Sequence, residues 1–200
     1  MTTVYDPDKL SRYKPDLIIG SDHEKEHYEP LFSIAPMLLL PFKPLSWQMH
    51  LMALAEALEL QAVAERWLHY YELKVKAAQH KISINLENET LLVAKLNRHS
   101  ARVFGANRRK VGKLIYRDLQ IRAPKGLESF SFVDVDNIEE LNDFNPDHIL
   151  LLHDFSCPID KKRFRSLNAK LYYAHTYPWL HYSAIGHARA VSEALMLFAR

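Results

Sequence analysis

The 200-residue chain predicts an α/β domain built on a largely parallel sheet flanked by helices. Three observations carry this. Short apolar runs closed by turn residues alternate with helical stretches. Residues Ser46 to Ser83 contain neither Gly nor Pro, so one region is helical throughout. The chain is 48% hydrophobic with a net charge of only +2, enough to bury an ordinary core and too apolar for disorder.

The elements follow in order. Lys14-Pro15-Asp16 turns into Leu17-Ile18-Ile19, a buried strand closed by Gly20. Ile34 to Leu40 reads as a second strand between Pro36 and Pro41. Ser46 caps a helix whose Trp47, Leu51, Leu54 and Leu58 recur at helical spacing. The spacing shifts phase near Glu59-Leu60, and a second, longer helix carries Val63, Trp67 and Lys74. After Asn88, strands are expected at Thr90 to Leu96, Arg102 to Gly105, Ser131 to Val135, His148 to Leu152 and Leu171-Tyr172. Helices are expected at Val111 to Leu119, Asn137 to Phe144, Lys161 to Leu167 and Ala184 to Arg200. Glu139 and Glu140 sit in a first turn, where the helix dipole favours them. Ligands of such sheets lie outside the carboxyl ends of the strands. The loops there are Asn97 to Ser100, Ala106 to Lys110, His153 to Pro158 and His175 to Tyr182.

Composition excludes several classes. The charge balance is too even for a nucleic-acid or membrane surface over the whole molecule. One cysteine, Cys157, permits neither an internal disulfide nor a CxxC metal knuckle. Five glycines fall in no GxGxxG, GxxxxGK or GxSxG pattern, which removes the usual nucleotide and hydrolase readings. The longest apolar run, Ala35 to Pro41, is too short to span a bilayer. The first residues have no signal-peptide pattern, so the expectation is a cytoplasmic protein, or one whose leader precedes this sequence.

His23-Glu24-Lys25-Glu26-His27 is a literal HExxH. On a long packed helix, such histidines grip zinc and the glutamate acts as base. Here the motif follows a strand at once, Pro30 ends the segment, and no apolar face flanks it. It reads as the solvated start of a helix, and a zinc hydrolase ranks third among the functions considered.

A basic cluster is more informative. Lys95, Arg98, Arg102, Arg108, Arg109, Lys110 and Lys113 fall in a stretch free of acidic residues. Taken alone, the cluster reads equally as a solvated surface or as an anion-binding floor. Tyr177-Pro178-Trp179-Leu180-His181-Tyr182 is an aromatic loop, and exposed aromatics usually pack or bind.

The order of several phrases resembles the substrate-binding proteins of iron–siderophore and vitamin B12 uptake. They are Tyr13 to Ile19, Ile34-Ala35-Pro36, Trp47 before a long helix, Leu114-Ile115-Tyr116-Arg117-Asp118-Leu119 followed by Pro124, Pro146-Asp147-His148-Ile149, and Tyr177-Pro178-Trp179. The resemblance implies a Rossmann-like parallel sheet flanked by helices, in two lobes joined by a long helix with the ligand between them. It implies that residues 1–45 are the end of a truncated first lobe, 46–88 a helical connector and 89–200 the second lobe. The Tyr-Pro-Trp phrase is most similar to the sensor domains of AraC-type transcription regulators. The function implied is capture of an iron(III)-siderophore by a sensor domain, with an extracellular, lipid-anchored ABC-transporter component as the alternative. Any contact with DNA would run through a separate helix-turn-helix region outside these residues. No enzyme activity or resident cofactor is implied, and iron would enter only within its chelate. The cleft arginines of that family fall here near Lys95, Asn97 and Arg98, a departure from paired arginines. The expected ligand-binding residues are Lys95, Asn97, Arg98, Arg102, Arg108, Trp179, His181 and Tyr182. Trp179 and Tyr182 would stack on the ligand or pack the cleft wall.

Overall fold

The computed structural model describes residues 6–22, 27–41, 46–107, 110–154 and 159–199. The chain divides into two compact units, residues 1–69 and 70–200.

The first unit contains helix α1 (Pro7–Arg12), strand β1 (Ile18–Ser21), helix α2 (Tyr28–Phe32), strand β2 (Met37–Leu40) and helix α3 (Trp47–Ala57). β1 and β2 pair in parallel, with Ile18 opposite Met37. β2 begins three residues later than the sequence predicts. The N–H groups of Ile34 and Ala35 turn back to the Leu31 carbonyl at 3.0 and 3.4 Å, so that segment closes α2 instead. Ser46 caps α3, its hydroxyl accepting the Met49 N–H at 3.3 Å. Helix α4 (Gln61–Leu86) follows after a break at Glu59, whose φ of 57° lies in the left-handed region. Trp67 on α4 meets Trp47 edge-on, with ring centroids 6.0 Å apart. Of the HExxH motif, residues 23–26 lie outside the described residues. His27 immediately precedes the five-residue α2.

The division between the units falls within α4. The second unit is a five-stranded sheet in the order β5-β4-β3-β6-β7, covered by helices. Its strands are β3 (Leu91–Leu96), β4 (Ala101–Phe104), β5 (Phe132–Val135), β6 (His148–His153) and β7 (Lys170–His175). β3, β6 and β7 pair in parallel, whereas β4 and β5 join antiparallel. The sheet is therefore mixed, with a parallel core. The reason is local: Asn97 to Ser100 closes a hairpin, the Asn97 N–H donating to the Ser100 carbonyl at 3.0 Å. Leu91 to Ala94 and Ile149 to Leu152 are fully buried, the signature of strands covered on both faces. Leu92, Ala94, Leu96, Ile149 and Leu151 pack with Leu127, Ile138 and Leu141 into one cluster.

Helical segments complete the unit. A turn, α5 (Lys110–Gly112), continues as a π-helix over Lys113–Asp118. Two glycines permit its close approach to β4. A Cβ on Gly112 would lie 2.0 Å from the Gly105 carbonyl oxygen, and one on Gly105 would lie 1.9 Å from that of Phe130. Ile138–Phe144 is a 3-10 helix with an Asn137–Glu140 capping box. The basic segment expected as a helix to Leu167 is only a 3-10 turn, Lys161–Phe164. β7 runs into the short helix α6 (Thr176–Trp179), and α7 (Ala184–Phe198) returns along the sheet, with Phe198 edge-on to Tyr172 at 4.9 Å.

Candidate functional site

Because β3, β6 and β7 are parallel, their carboxyl ends share one edge of the second unit. Three of the four expected loops leave from it: Asn97 to Ser100, the segment after His153, and His175 to Tyr182. The fourth follows β4, which runs the other way, and its last residue, Lys110, meets the His175 to Tyr182 loop.

Lys95 is the next-to-last residue of β3 and pairs with Asp154 at 3.5 Å, each side chain about one-third exposed (32% and 33%). Asn97 is bound into the hairpin. Its amide donates to the Ser100 hydroxyl at 3.2 Å, and its carbonyl accepts from Arg163 at 3.2 Å. Arg98 stands exposed at the hairpin tip. Among the described residues the edge thus offers the paired ammonium of Lys95 and the projecting guanidinium of Arg98.

Arg102 stands opposite Lys95 in the β3–β4 pairing, but its guanidinium is engaged with β5. It grips Asp134 on β5 through two bonds of 2.7 and 2.8 Å and lies 4.1 Å over the Phe132 ring. Asp134 holds the guanidinium in its charged form, and Arg102 holds the carboxyl below the usual range. The stretch from 95 to 113 is free of acids in sequence, but the sheet brings Asp154 and Asp134 to it from other strands. Pairing is fixed by sheet order, which a linear charge count does not contain. Arg108 lies outside the described residues.

The aromatic loop has a different construction from the one expected. Trp179 is fully buried (0% exposed), so it supports the loop from beneath and presents no ring face for stacking. Burial pushes the Glu193 carboxyl up, opposed in part by the neighbouring Trp179 indole and His175. Tyr182 is 47% exposed, with its ring 6.2 Å from His187. His181 is exposed, bonds Ser183 at 3.0 Å and meets Tyr177 edge-on at 5.4 Å. Arg189 donates to the Tyr177 hydroxyl at 2.9 Å. Tyr177, His181 and Tyr182 therefore form the outer surface of this loop.

Lys110 fastens the loop. Its ammonium donates to the carbonyls of Pro178, at 2.7 Å, and of His181. Burial lowers its pKa to about 8. The residue belonged to the basic cluster in sequence, but its function as a loop anchor depends on a contact 68 residues away.

Two histidines escape sequence reasoning. His153 and His175 end neighbouring parallel strands in register, with ring centroids 4.5 Å apart. Burial lowers the pKa of His153, and the adjacent His175 adds to the effect. The usable signal was positional: each histidine closes an apolar strand just before a loop. Side chains alternate along a strand, and Lys95 aligns with Leu152 in β6. Lys95 and His153 therefore leave the same edge on opposite faces of the sheet. Among the described residues no group of three or more His, Cys, Asp or Glu side chains is arranged to hold a metal ion.

This edge chemistry suits an oxygen-rich anion, with cations, ring nitrogens and phenols on loops around a rigid sheet. The chain is 25% identical over 204 residues to the HTH-type transcriptional activator Btr of Bacillus subtilis (strain 168), covering 95% of this chain and 37% of that protein. It is 29% identical over 148 residues to the iron(3+)-hydroxamate-binding protein FhuD of the same organism, covering 71% of this chain and 47% of that one. The chain thus spans less than half the length of either relative. Its fold matches the crystal structure of a FhuD fold-family periplasmic binding protein, a component of a Fep/Fec-like ferrichrome ABC transporter from Bacillus subtilis. That match has a TM-score of 0.83 and 23% identity, covering 98% of this chain and 77% of the other. The periplasmic binding protein family profile matches residues 3–167, and the chain belongs to that family, which is one of binding proteins and not of enzymes.

Proposed function

We propose that this chain is a binding module for an iron(III)-siderophore or a related ferric chelate, and that it serves as the sensor domain of a transcription regulator. The observation that carries the sensor reading is extent: the similarity to a transcriptional activator runs through 95% of the chain. The ligand class is supported by the hydroxamate-binding relative and by the carboxyl edge of the sheet. There Lys95 and Arg98 face the negative charge of the chelate, Asn97 holds the hairpin that presents Arg98, and Tyr182 and His181 supply the outer wall. Iron enters only within its chelate, and the protein holds no cofactor of its own. As a sensor the protein works in the cytoplasm and reaches DNA through a separate domain.

A second reading has its own support. Identity to the iron(3+)-hydroxamate-binding protein is higher, at 29%. On that reading the chain is an extracellular component of an ABC uptake system. Among the described residues no helix is long and apolar enough to cross a membrane.

Fluorescence-quenching titration of the full-length protein with ferric hydroxamate, catecholate and carboxylate siderophores tests the ligand class. Saturable binding of one class supports the proposal, and absence of binding to all three refutes it. Siderophore-dependent binding of the full-length protein to its own promoter separates sensor from transporter component.

A further inference from the structure

The opposite edge of the same sheet holds a cavity of about 310 Å³. It lies at the amino ends of β6 and β7, where His148 is in register with Lys170. β6 has six residues, so about 17 Å separates this edge from the carboxyl edge. Pockets for drug-sized ligands start at roughly 300 Å³. The cavity therefore fits a single-ring molecule and excludes a whole ferric chelate.

His148 lines the cavity and is 4% exposed. Its Nε2 lies 2.5 Å from a Glu89 carboxylate oxygen, a bond that places a proton on Nε2. Its Nδ1 is buried with no hydrogen-bond partner among the described residues, and in the Nε2–H tautomer it is an acceptor. Buried polar atoms are nearly always paired, so an orphan beside a cavity calls for a guest that donates a hydrogen bond. Lys170 supplies a cation on the same wall, its Nζ 5.5 Å from the centre of the Tyr172 ring. Leu86, Met196 and Phe198 supply an apolar surface.

We propose that this cavity is a second ligand site, for a small cyclic hydroxy acid. The hydroxyl of the guest donates to Nδ1 of His148, its carboxylate meets Lys170, and its ring lies against Leu86, Met196 and Phe198. Donor, anion and apolar body answer the Nδ1 of His148, the ammonium of Lys170 and the apolar wall, while Glu89 and Asn85, which also line the cavity, lie beside them.

The probe is 4-hydroxybenzoate, added to full-length protein whose backbone amides are followed by NMR. Saturable shifts confined to the neighbourhood of Glu89, His148, Lys170 and Met196 are expected. Benzoate, which lacks the hydroxyl, should bind at least fivefold more weakly, and so should 4-hydroxybenzoate to Lys170→Ala. Lys170 is exposed, so that variant keeps the fold. Ferric siderophore titrations on the same samples should be unchanged by either acid, which keeps failure at this site distinct from failure of the chelate reading. Absence of saturable shifts at these residues, or equal affinity for benzoate, overturns the proposal and leaves an ordered water as the partner of Nδ1.

Discussion

Asp154 restrains the charge that Lys95 can offer a ligand. Their 3.5 Å separation, with each side chain one-third exposed, lies between a surface pair and a buried one. Exposed pairs are worth about 0.2–1 kcal/mol, whereas an effective dielectric of about 20 would give roughly 4–5 kcal/mol of Coulomb attraction at this distance. A net coupling of about 1–1.5 kcal/mol is the reasonable middle. An anionic chelate binding at Lys95 must compete with this carboxylate and also suffers its repulsion. Asp154→Asn is therefore expected to tighten capture of a ferric siderophore about five- to tenfold. Lys95→Gln should weaken it by a similar factor, and the double variant should lie near the parent. Fluorescence-quenching titrations at low and high salt measure this, and the gain in Asp154→Asn should shrink as salt rises. If Asp154→Asn weakens binding as much as Lys95→Gln does, the carboxylate is a contact or a positioning group and the competition argument is wrong.

Three further outcomes are expected. The Lys110 side chain should titrate near pH 8 by carbon NMR, against 10.5 for an ordinary lysine. Its native pKa lies below the unfolded value, so stability should rise with pH from about 8 to about 10.5, and Lys110→Met should remove that slope. Burial lowers the His187 pKa to about 4, only partly opposed by a bond to the Ser183 carbonyl. Stability should accordingly be lost as pH falls from about 6.5 toward 4, and thermal melts of His187→Gln should show a flatter dependence over that window. Trp179→Ala should cost about 3–5 kcal/mol in chemical denaturation because the ring is fully enclosed. A cost under about 1 kcal/mol would return Trp179 to the surface as a ligand contact.

Legibility in the sequence followed the range of the physics. Ser46 as a cap, the break at Glu59, and the buried runs at Leu91 and Ile149 depend on near neighbours, and each was readable. The antiparallel pairing of β4 was not, because Asn97 to Ser100 carries none of the dipeptides that mark a tight hairpin. The early end of the Lys161 helix reflects a segment rich in cations with few apolar residues to pack. At the candidate site, Lys95, Asn97 and Arg98 share one edge because they are neighbours in sequence. The partners that determine their chemistry, Asp154 for Lys95 and Arg163 for Asn97, come from beyond residue 150. Trp179 could be read from the sequence as stacking on a ligand or as packing; its burial fits packing, a choice composition cannot make because it does not tell a loop's outer surface from its underside.

The double-sided burial of β3 and β6 constrains how this architecture can diversify. Leu91 to Ala94 and Ile149 to Leu152 touch packed neighbours on both faces, so a change in any of them disturbs the core. The last residues of the strands and the segments just beyond them carry no such obligation. If the proposed site is the ligand site, new ligand preferences are reached most readily by substitutions at Lys95, Arg98, His153, His175 and the outer residues of the Tyr177 to Tyr182 loop. Descendants of a common ancestor can then share one interior while recognising different chelates, and divergence among them should concentrate at the sheet's carboxyl edge.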